Sequence, residues 1–154
     1  MQHSFESGDY VLVDKLTPRW DAYSRGDVVV FTPPAEANRG TTPFIKRVLG
    51  LPGDTVEIVV GGLVAVNGVT LQEPYLYAGS DGQLEPTTSN REQRWVVPAG
   101  ELFVMGDHRQ ESVDSRRFGT VEIGNVLGRA VLRYWPLGSA GVVQVPTYEG
   151  VPAP

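Results

Sequence analysis

The sequence predicts a mainly β protein, in which antiparallel meanders form a partly closed, barrel-like fold with a small β insertion. Two hairpin dipeptides, Gly61-Gly62 and Asn67-Gly68, separate short apolar runs and predict a three-stranded meander. The 18 glycines and 12 prolines among 154 residues suit a turn-rich chain, and no stretch of a dozen residues has a convincing helical period. The length fits one domain, residues 1–154, in which we expect the insertion to occupy roughly residues 60–98.

The predicted strands follow apolar runs that are bounded by turn residues. The run at 28–31 is continuous, which indicates burial on both faces of its sheet. Residues 78–93 are polar and lack periodicity, so we expect a mobile loop there. The full set of expected strands is 9–14, 28–31, 44–50, 55–60, 63–66, 69–71, 95–97, 102–105, 126–135 and 141–145.

Composition narrows the possible functions. The chain has no cysteine, which rules out disulfides, thiolate metal sites and a cysteine nucleophile. With two histidines a multi-histidine metal centre is not expected, and we predict neither a metal nor a cofactor. The formal net charge is −5 and there is no basic run, which argues against a nucleic-acid partner. No apolar run approaches the ~20 residues of a membrane span, and no signal peptide opens the chain.

The stretch at 44–54 places Lys46, one of only two lysines, inside an apolar segment. Along a strand, Phe44, Lys46 and Val48 share one face, so the lysine has an aromatic and a β-branched neighbour. Desolvation penalises a charged amine, which suits a lysine that must lose its proton, and we predict that Lys46 is a general base. The alternative is an edge-strand or snorkelling lysine that protects the sheet from aggregation.

A second candidate segment, residues 106–119, follows the predicted strand 102–105. Its side chains Ser112, Asp114 and Arg116 can build a local network of hydrogen bonds and ion pairs that would support a neutral catalytic lysine. The alternative is a solvated, salt-bridged loop without a catalytic role.

Together these stretches resemble the catalytic domain of the type I signal peptidases, membrane-anchored serine proteases that use a Ser-Lys dyad. Residues 45–54 resemble the family's lysine box, and 106–116 resemble its Gly-Asp-Asn…Ser…Asp-Ser-Arg box. Residues 25–31 are similar to its Gly-Asp-Val strand, and Arg-Tyr-Trp-Pro at 133–136 is similar to a frequent closing strand. The resemblance covers roughly residues 1–137, and it departs from the family at His108, where the family usually has Asn.

The resemblance implies a role for each matching residue. Lys46 would be the general base, Ser112 would hydrogen-bond and orient its amine, and Asp114 and Arg116 would form a structural ion pair. The shallow apolar pockets for the small residues at positions −1 and −3 of a signal peptide would be lined by Met1, Phe5, Phe44 and Ile45. His108 puts one loop hydrogen bond in doubt.

The resemblance also implies where the nucleophile lies. Residues 1–9 fit the segment after the family's nucleophilic serine, with Ser4 in place of Thr and Phe5 in place of Leu. That serine would then precede Met1, so we expect a truncated domain without its membrane anchor, inactive as given. The intact enzyme would cut exported preproteins on the extracytoplasmic side of the cell membrane. Ser4 or Ser7 as nucleophile is an alternative that misaligns Phe5.

In such an enzyme Lys46 would take the proton of the serine and later activate a water. For Lys46 to act as a base near neutral pH, its pKa must be lowered by roughly 2–3 units, which corresponds to a free energy of about 3–4 kcal/mol. We expect burial beside Phe44 and Val48, with no carboxylate partner, to supply this shift. Two other classes stay open: a catalytically dead peptide-binding or assembly module, and a self-cleaving repressor protease. Lys46 with Ser112 disfavours the first, and the acidic charge with the inserted meander disfavours the second.

Overall fold

The computed structural model describes residues 1, 4–17, 22–37, 40, 42–59, 61–79, 82–87 and 93–152. In these ranges the chain forms eleven β-strands and one short α-helix. None of the helices there is long and apolar enough to cross a bilayer. The elements are β1 (Tyr10–Asp14), β2 (Val28–Phe31), β3 (Phe44–Gly50), β4 (Thr55–Val59), β5 (Leu63–Val66), β6 (Val69–Thr70), β7 (Gln93–Val96), β8 (Glu101–Met105), α1 (Ser115–Phe118), β9 (Val121–Glu122), β10 (Val126–Trp135) and β11 (Gly141–Val142).

The strands form two antiparallel sheets. The larger has the order β1-β10-β2-β3-β8-β9, with β11 also paired to β10, and the smaller has the order β6-β5-β4-β7. The predicted mainly β, antiparallel architecture is therefore confirmed. The sequence predicts partial closure into a barrel-like shape, and the larger sheet is not closed into a barrel, because it stays open between β1 and the two-residue strand β9.

Four of the ten predicted strands, β2, β3, β5 and β10, have the predicted bounds, and five others differ from the prediction by one or two residues at an end. The strand expected at 141–145 is regular only at Gly141–Val142. In the expected mobile loop, residues 80–81 and 88–92 lie outside the described ones, and Ala78 forms an isolated bridge with Leu84. The mobility of this loop stays a prediction, as does the division into one domain with an insertion at 60–98.

Strand β3 lies between two parts of the hydrophobic core because its side chains alternate between faces. Val48 packs in a cluster with Phe31, Leu102 and Phe118, and the Phe44 ring borders the same cluster. The next residue, Leu49, packs in the other cluster, which joins the two sheets and consists of Leu49, Val56, Ile58, Val64, Val66, Leu71, Val97, Phe103 and Met105. The strand that carries Lys46 is therefore held from both sides.

Candidate active site

Backbone register places Lys46 at the centre of the larger sheet. Lys46 pairs with Val29 of β2, and its neighbour Arg47 pairs with Met105, the last residue of β8. Because β3 and β8 are antiparallel, the residue after Met105 lies beside Lys46. That residue is Gly106, so the loop that begins at 106 starts next to the lysine.

The Lys46 amine is partly buried and lies beside an aromatic ring. Its Nζ stands 5.3 Å from the centroid of the Phe44 ring, and no described residue makes a hydrogen bond or an ion pair with it. Burial lowers the pKa of Lys46, against the raising effect of Asp114 and Asp107. Burial is thus the largest cause of the lowering, as the sequence predicts, and the two carboxylates act on the amine only through the longer-range effect of their charge.

Ser112 is folded against the backbone at Gly106. Its buried Oγ has no hydrogen-bond partner among the described residues. It lies near enough to Asp114 to help lower the pKa of that carboxyl, a contact that we regard as electrostatic since it lacks directed geometry. A Cβ built on Gly106 would overlap Ser112 Oγ, and it would stand 2.7 Å from Ser112 Cβ and 3.7 Å from Lys46 Cδ. Ser112 therefore lies near the Lys46 stem, without the predicted hydrogen bond to its amine.

Replacing Gly106 with alanine is expected to push Ser112 away from Lys46. Because overpacking a filled site costs about 1–3 kcal/mol, the free energy of unfolding in urea should fall by that amount. Gly124→Ala is the matched control, since a Cβ there meets nothing within 4 Å. Equal unfolding midpoints for the two variants would contradict the close packing of Ser112 on Gly106.

Asp114 and Arg116 form a buried, two-pronged ion pair. Arg116 donates to Asp114 from Nε and NH2, each at 2.7 Å, and the Gly106 N–H donates to Asp114 Oδ2 at 3.0 Å. Asp114 also caps α1 by accepting from the Arg116 N–H. Burial opposes ionisation of Asp114, but these donors outweigh it and hold its pKa below the usual range.

A second ion pair, which sequence reasoning did not identify, lies on the other face of β3. Arg47 donates to both oxygens of Asp107, from Nε at 3.0 Å and from NH2 at 2.9 Å. The Asp107 carboxylate also accepts a hydrogen bond from the Ser4 hydroxyl. The available signal was Arg47 itself, because an arginine on an apolar strand needs a carboxylate partner.

A third buried pair, also missed from the sequence, connects the 106–114 loop to the segment after the inserted meander. Arg109 donates from NH1 to Glu73 Oε2 at 3.0 Å and from Nε to the Gly106 carbonyl at 3.0 Å. His108, the departure from the family pattern, stacks on Tyr77 with ring centroids 4.1 Å apart. These contacts fix the first part of the loop that carries Ser112, on the N-terminal side of that serine.

The predicted substrate-lining residues fall into two groups. Phe5 is buried with Val28 and Ala130, and Met1 and Ile45 pack against this cluster. Phe44 instead joins the cluster of Phe31 and Phe118. The structure therefore brings together Met1, Phe5 and Ile45, and it leaves Phe44 outside their cluster although it contacts Lys46.

A cavity of about 500 Å³ lies beside Arg47, and Lys46 is not among its lining residues. Phe5 is the only predicted substrate-lining residue in its wall, next to Ser4, Tyr75, Arg133 and the segment 141–146. It is therefore not the predicted pair of shallow pockets beside Lys46. Among the described residues, no three acidic, histidine or cysteine side chains are grouped so that they could hold a metal ion.

Residues 1–135 match the family model described as signal peptidase, peptidase S26. The chain belongs to this family. It is 39% identical over 151 residues to a signal peptidase I of Leptolyngbya laminosa, and this alignment covers 95% of this chain and 70% of that protein. It is 37% identical over 142 residues to a signal peptidase I of Bacillus caldolyticus, 88% of this chain and 75% of that protein.

A solved structure supports the signal-peptidase assignment at the level of the fold. The crystal structure of a signal peptidase I from Enterococcus faecalis V583 superposes with a TM-score of 0.56 at 32% sequence identity. The match covers 71% of this chain and 97% of that one. The resemblance identified from the lysine box and the Asp-Ser-Arg box is therefore confirmed, whereas the role of each site residue stays a prediction.

Proposed function

We propose that this chain is the catalytic part of a signal peptidase I, a serine endopeptidase that removes the signal peptides of exported preproteins with a Ser-Lys dyad. One observation carries the proposal. Lys46 lies in the central strand of a signal-peptidase fold, where burial lowers its pKa and no described residue makes a hydrogen bond or an ion pair with its amine. A neutral amine of this kind can take a proton from a serine hydroxyl.

The nucleophile in this proposal is a serine bonded to the nitrogen of Met1. Burial lowers the pKa of the Met1 amino group, and the positive charge of Lys46 adds to the lowering. This influence of Lys46 supports placing a residue attached to Met1 on the same side of the sheet as the Lys46 amine. The hydroxyl of Ser4 is an inferior candidate because it already donates to the Asp107 carboxylate.

The reaction would run in two steps. The serine oxygen attacks the scissile carbonyl while Lys46 takes its proton, and the protonated amine then protonates the leaving amine of the mature protein. In the second step Lys46 deprotonates a water that attacks the acyl-enzyme, and the released serine oxygen regains a proton from Lys46. To orient the Lys46 amine, Ser112 would turn its hydroxyl, which has no hydrogen-bond partner among the described residues, toward that amine. The Asp114–Arg116 pair would hold the loop that carries Ser112.

Substrate choice and location follow from the same proposal. Met1, Phe5 and Ile45, with Phe44 at the edge, would line shallow pockets for the small residues before the cleavage site. The partners are signal peptides and, through an N-terminal anchor, the membrane surface, with catalysis on the extracytoplasmic side. A nucleic-acid partner is not proposed, given the net charge of −5.

The test is to compare a chain extended by Ser-Gly-Ser before Met1 with one extended by Ser-Gly-Ala. We expect the serine-terminated extension to cleave a fluorogenic signal-peptide substrate in detergent, and the alanine-terminated one and the unextended chain to be inactive. The two extensions differ in a single oxygen next to Lys46, so they isolate the nucleophile. Activity of the unextended chain would assign the nucleophile to another hydroxyl. An inactive serine form with an intact circular-dichroism spectrum would favour a peptide-binding module.

A further inference from the structure

The first turn of the chain is tied to the 106–114 loop through one side chain. The Ser4 hydroxyl donates a hydrogen bond to Oδ2 of Asp107, a residue 103 positions away in the sequence. A hydrogen bond to an ionised acceptor is roughly twice as strong as a neutral one. This contact therefore joins the segment next to the proposed nucleophile to the segment next to Lys46.

Asp107 is a rigidly held acceptor of that hydrogen bond. Its side chain is fully buried, and Arg47 donates to each of its oxygens at 2.9 and 3.0 Å. The Tyr77 N–H donates to the Asp107 carbonyl at 3.1 Å, which fixes the backbone as well. Arg47 is held in turn because its NH1 donates to the carbonyls of Gly26 and Gln144. Through Asp107 and Arg47, the Ser4 side chain is therefore held in a fixed position relative to the central strand β3.

Two further contacts restrict the same turn. Arg133 of β10 donates to the Ser4 carbonyl at 3.0 Å and to Asp9 Oδ2 at 3.1 Å. The Phe5 N–H donates to the Met1 carbonyl at 2.8 Å, and the Phe5 ring is buried. With the backbone of Ser4 and Phe5 held, the Ser4 hydroxyl adds the contact that ties this turn to the 106–114 loop.

We propose that Ser4 and Asp107 are positioning residues of the peptidase reaction, which hold the first turn so that the group attached to Met1 faces Lys46. Neither side chain touches the reacting atoms; each acts through the turn. The proposal rests on the proposed function, since a turn needs this orientation only if it carries the nucleophile. It assigns a use to the Arg47–Asp107 pair, which the dyad does not require.

The first experiment measures the turn itself and needs no nucleophile. In the unextended chain, Ser4→Val and Ser4→Thr place side chains of equal shape at position 4 that differ by a methyl group in place of the hydroxyl. Ser7→Ala is a control at an exposed serine. We expect the Phe5 amide to exchange hydrogen at least about tenfold faster in Ser4→Val, and at the original rate in Ser4→Thr and Ser7→Ala. Unchanged exchange in Ser4→Val, or equally fast exchange in Ser4→Thr, would overturn the proposal.

The second experiment uses the serine-extended chain. Ser4→Val is expected to lower kcat by about ten- to a hundredfold, because small misplacements of a nucleophile are costly, while Ser4→Thr restores kcat. KM and the pH at which kcat/KM reaches half its plateau should stay the same, since the environment of Lys46 is untouched. An unchanged kcat in Ser4→Val would overturn the proposal. An inactive serine-extended parent would refute the proposed function alone, and the exchange measurement would still decide whether Ser4 holds the turn.

Discussion

Replacing Lys46 with cysteine in the serine-extended chain is expected to lower kcat/KM for a signal-peptide substrate at least about a thousandfold, because the serine loses its only proton acceptor. The parent sequence has no cysteine, so the Lys46→Cys variant would carry a single thiol, at the site of the proposed base. Alkylation with 2-bromoethylamine then rebuilds a side chain of lysine length that ends in an amine, and we expect it to restore a large part of the activity.

The same reagent on the parent protein provides the control, because a chain without cysteine should keep its activity. Recovery with bromoethylamine but not with iodoacetamide, which adds a neutral amide, would assign the effect to the amine. If the cysteine variant kept the parental kcat/KM, Lys46 would not be the general base.

The pH dependence of the parent enzyme follows from the same lysine. Only the neutral amine accepts a proton, so kcat/KM should rise as the pH increases through the pKa of Lys46. Burial lowers this pKa, so the inflection should lie below the value of about 10.4 for a free lysine. An NMR titration of Lys46 that gave a pKa near 10 would contradict the proposed mechanism.

Replacing Asp114 with alanine is expected to cost about 3–5 kcal/mol of unfolding free energy, because it leaves the Arg116 guanidinium without its buried partner. The Gly106 N–H and the first turn of α1 would lose their acceptor as well. Urea unfolding near neutral pH measures the loss. Glu57→Ala removes one partner of the exposed Glu57–Arg94 pair and should cost less than about 1 kcal/mol.

The loss of unfolding free energy in the Asp114→Ala variant should also depend on pH. The pKa of Asp114 is lower in the folded chain than in the unfolded one, so its carboxylate stabilises the fold above the unfolded pKa, near 4. As the pH falls through the folded pKa, the parent protonates Asp114 and loses this stabilisation. The two proteins should therefore approach equal stability in acid, and a constant gap down to the lowest accessible pH would show that packing rather than charge causes the loss.

Local sequence signals predicted the elements well because they depend on neighbours along the chain. The apolar run around Lys46 ends at Gly50, followed by the turn that includes Pro52 and Gly53, and β3 has these bounds. The hairpin dipeptides similarly predicted the small sheet. Closure of the larger sheet could not be predicted, because it depends on whether two edge strands meet, and β9 proved to be only two residues long.

The candidate site was predicted where charge and spacing are local, as for Asp114 and Arg116. It was not predicted where partners are distant in sequence: Arg47 and Asp107 are 60 positions apart, and Ser4 and Asp107 are 103 apart. The alternation of side chains along a strand puts Arg47 on the face opposite Lys46, but it cannot select the carboxylate that pairs with Arg47. Phe44 was predicted to lie with Met1 and Phe5, and it packs with Phe118 instead because three aromatic rings meet there.

Adjacent residues of β3 have opposite chemical requirements. In the proposed mechanism Lys46 must be able to give up its charge, whereas Arg47 is permanently charged and donates to both carboxylate oxygens of Asp107. The pleat of the strand alone keeps these two cations on different faces. An insertion or deletion of one residue in this strand would exchange them, placing a guanidinium that cannot act as a base where the amine belongs. The permissible length of this segment is therefore fixed by chemistry, whereas the hairpin turns, remote from Lys46, can vary in length without moving it.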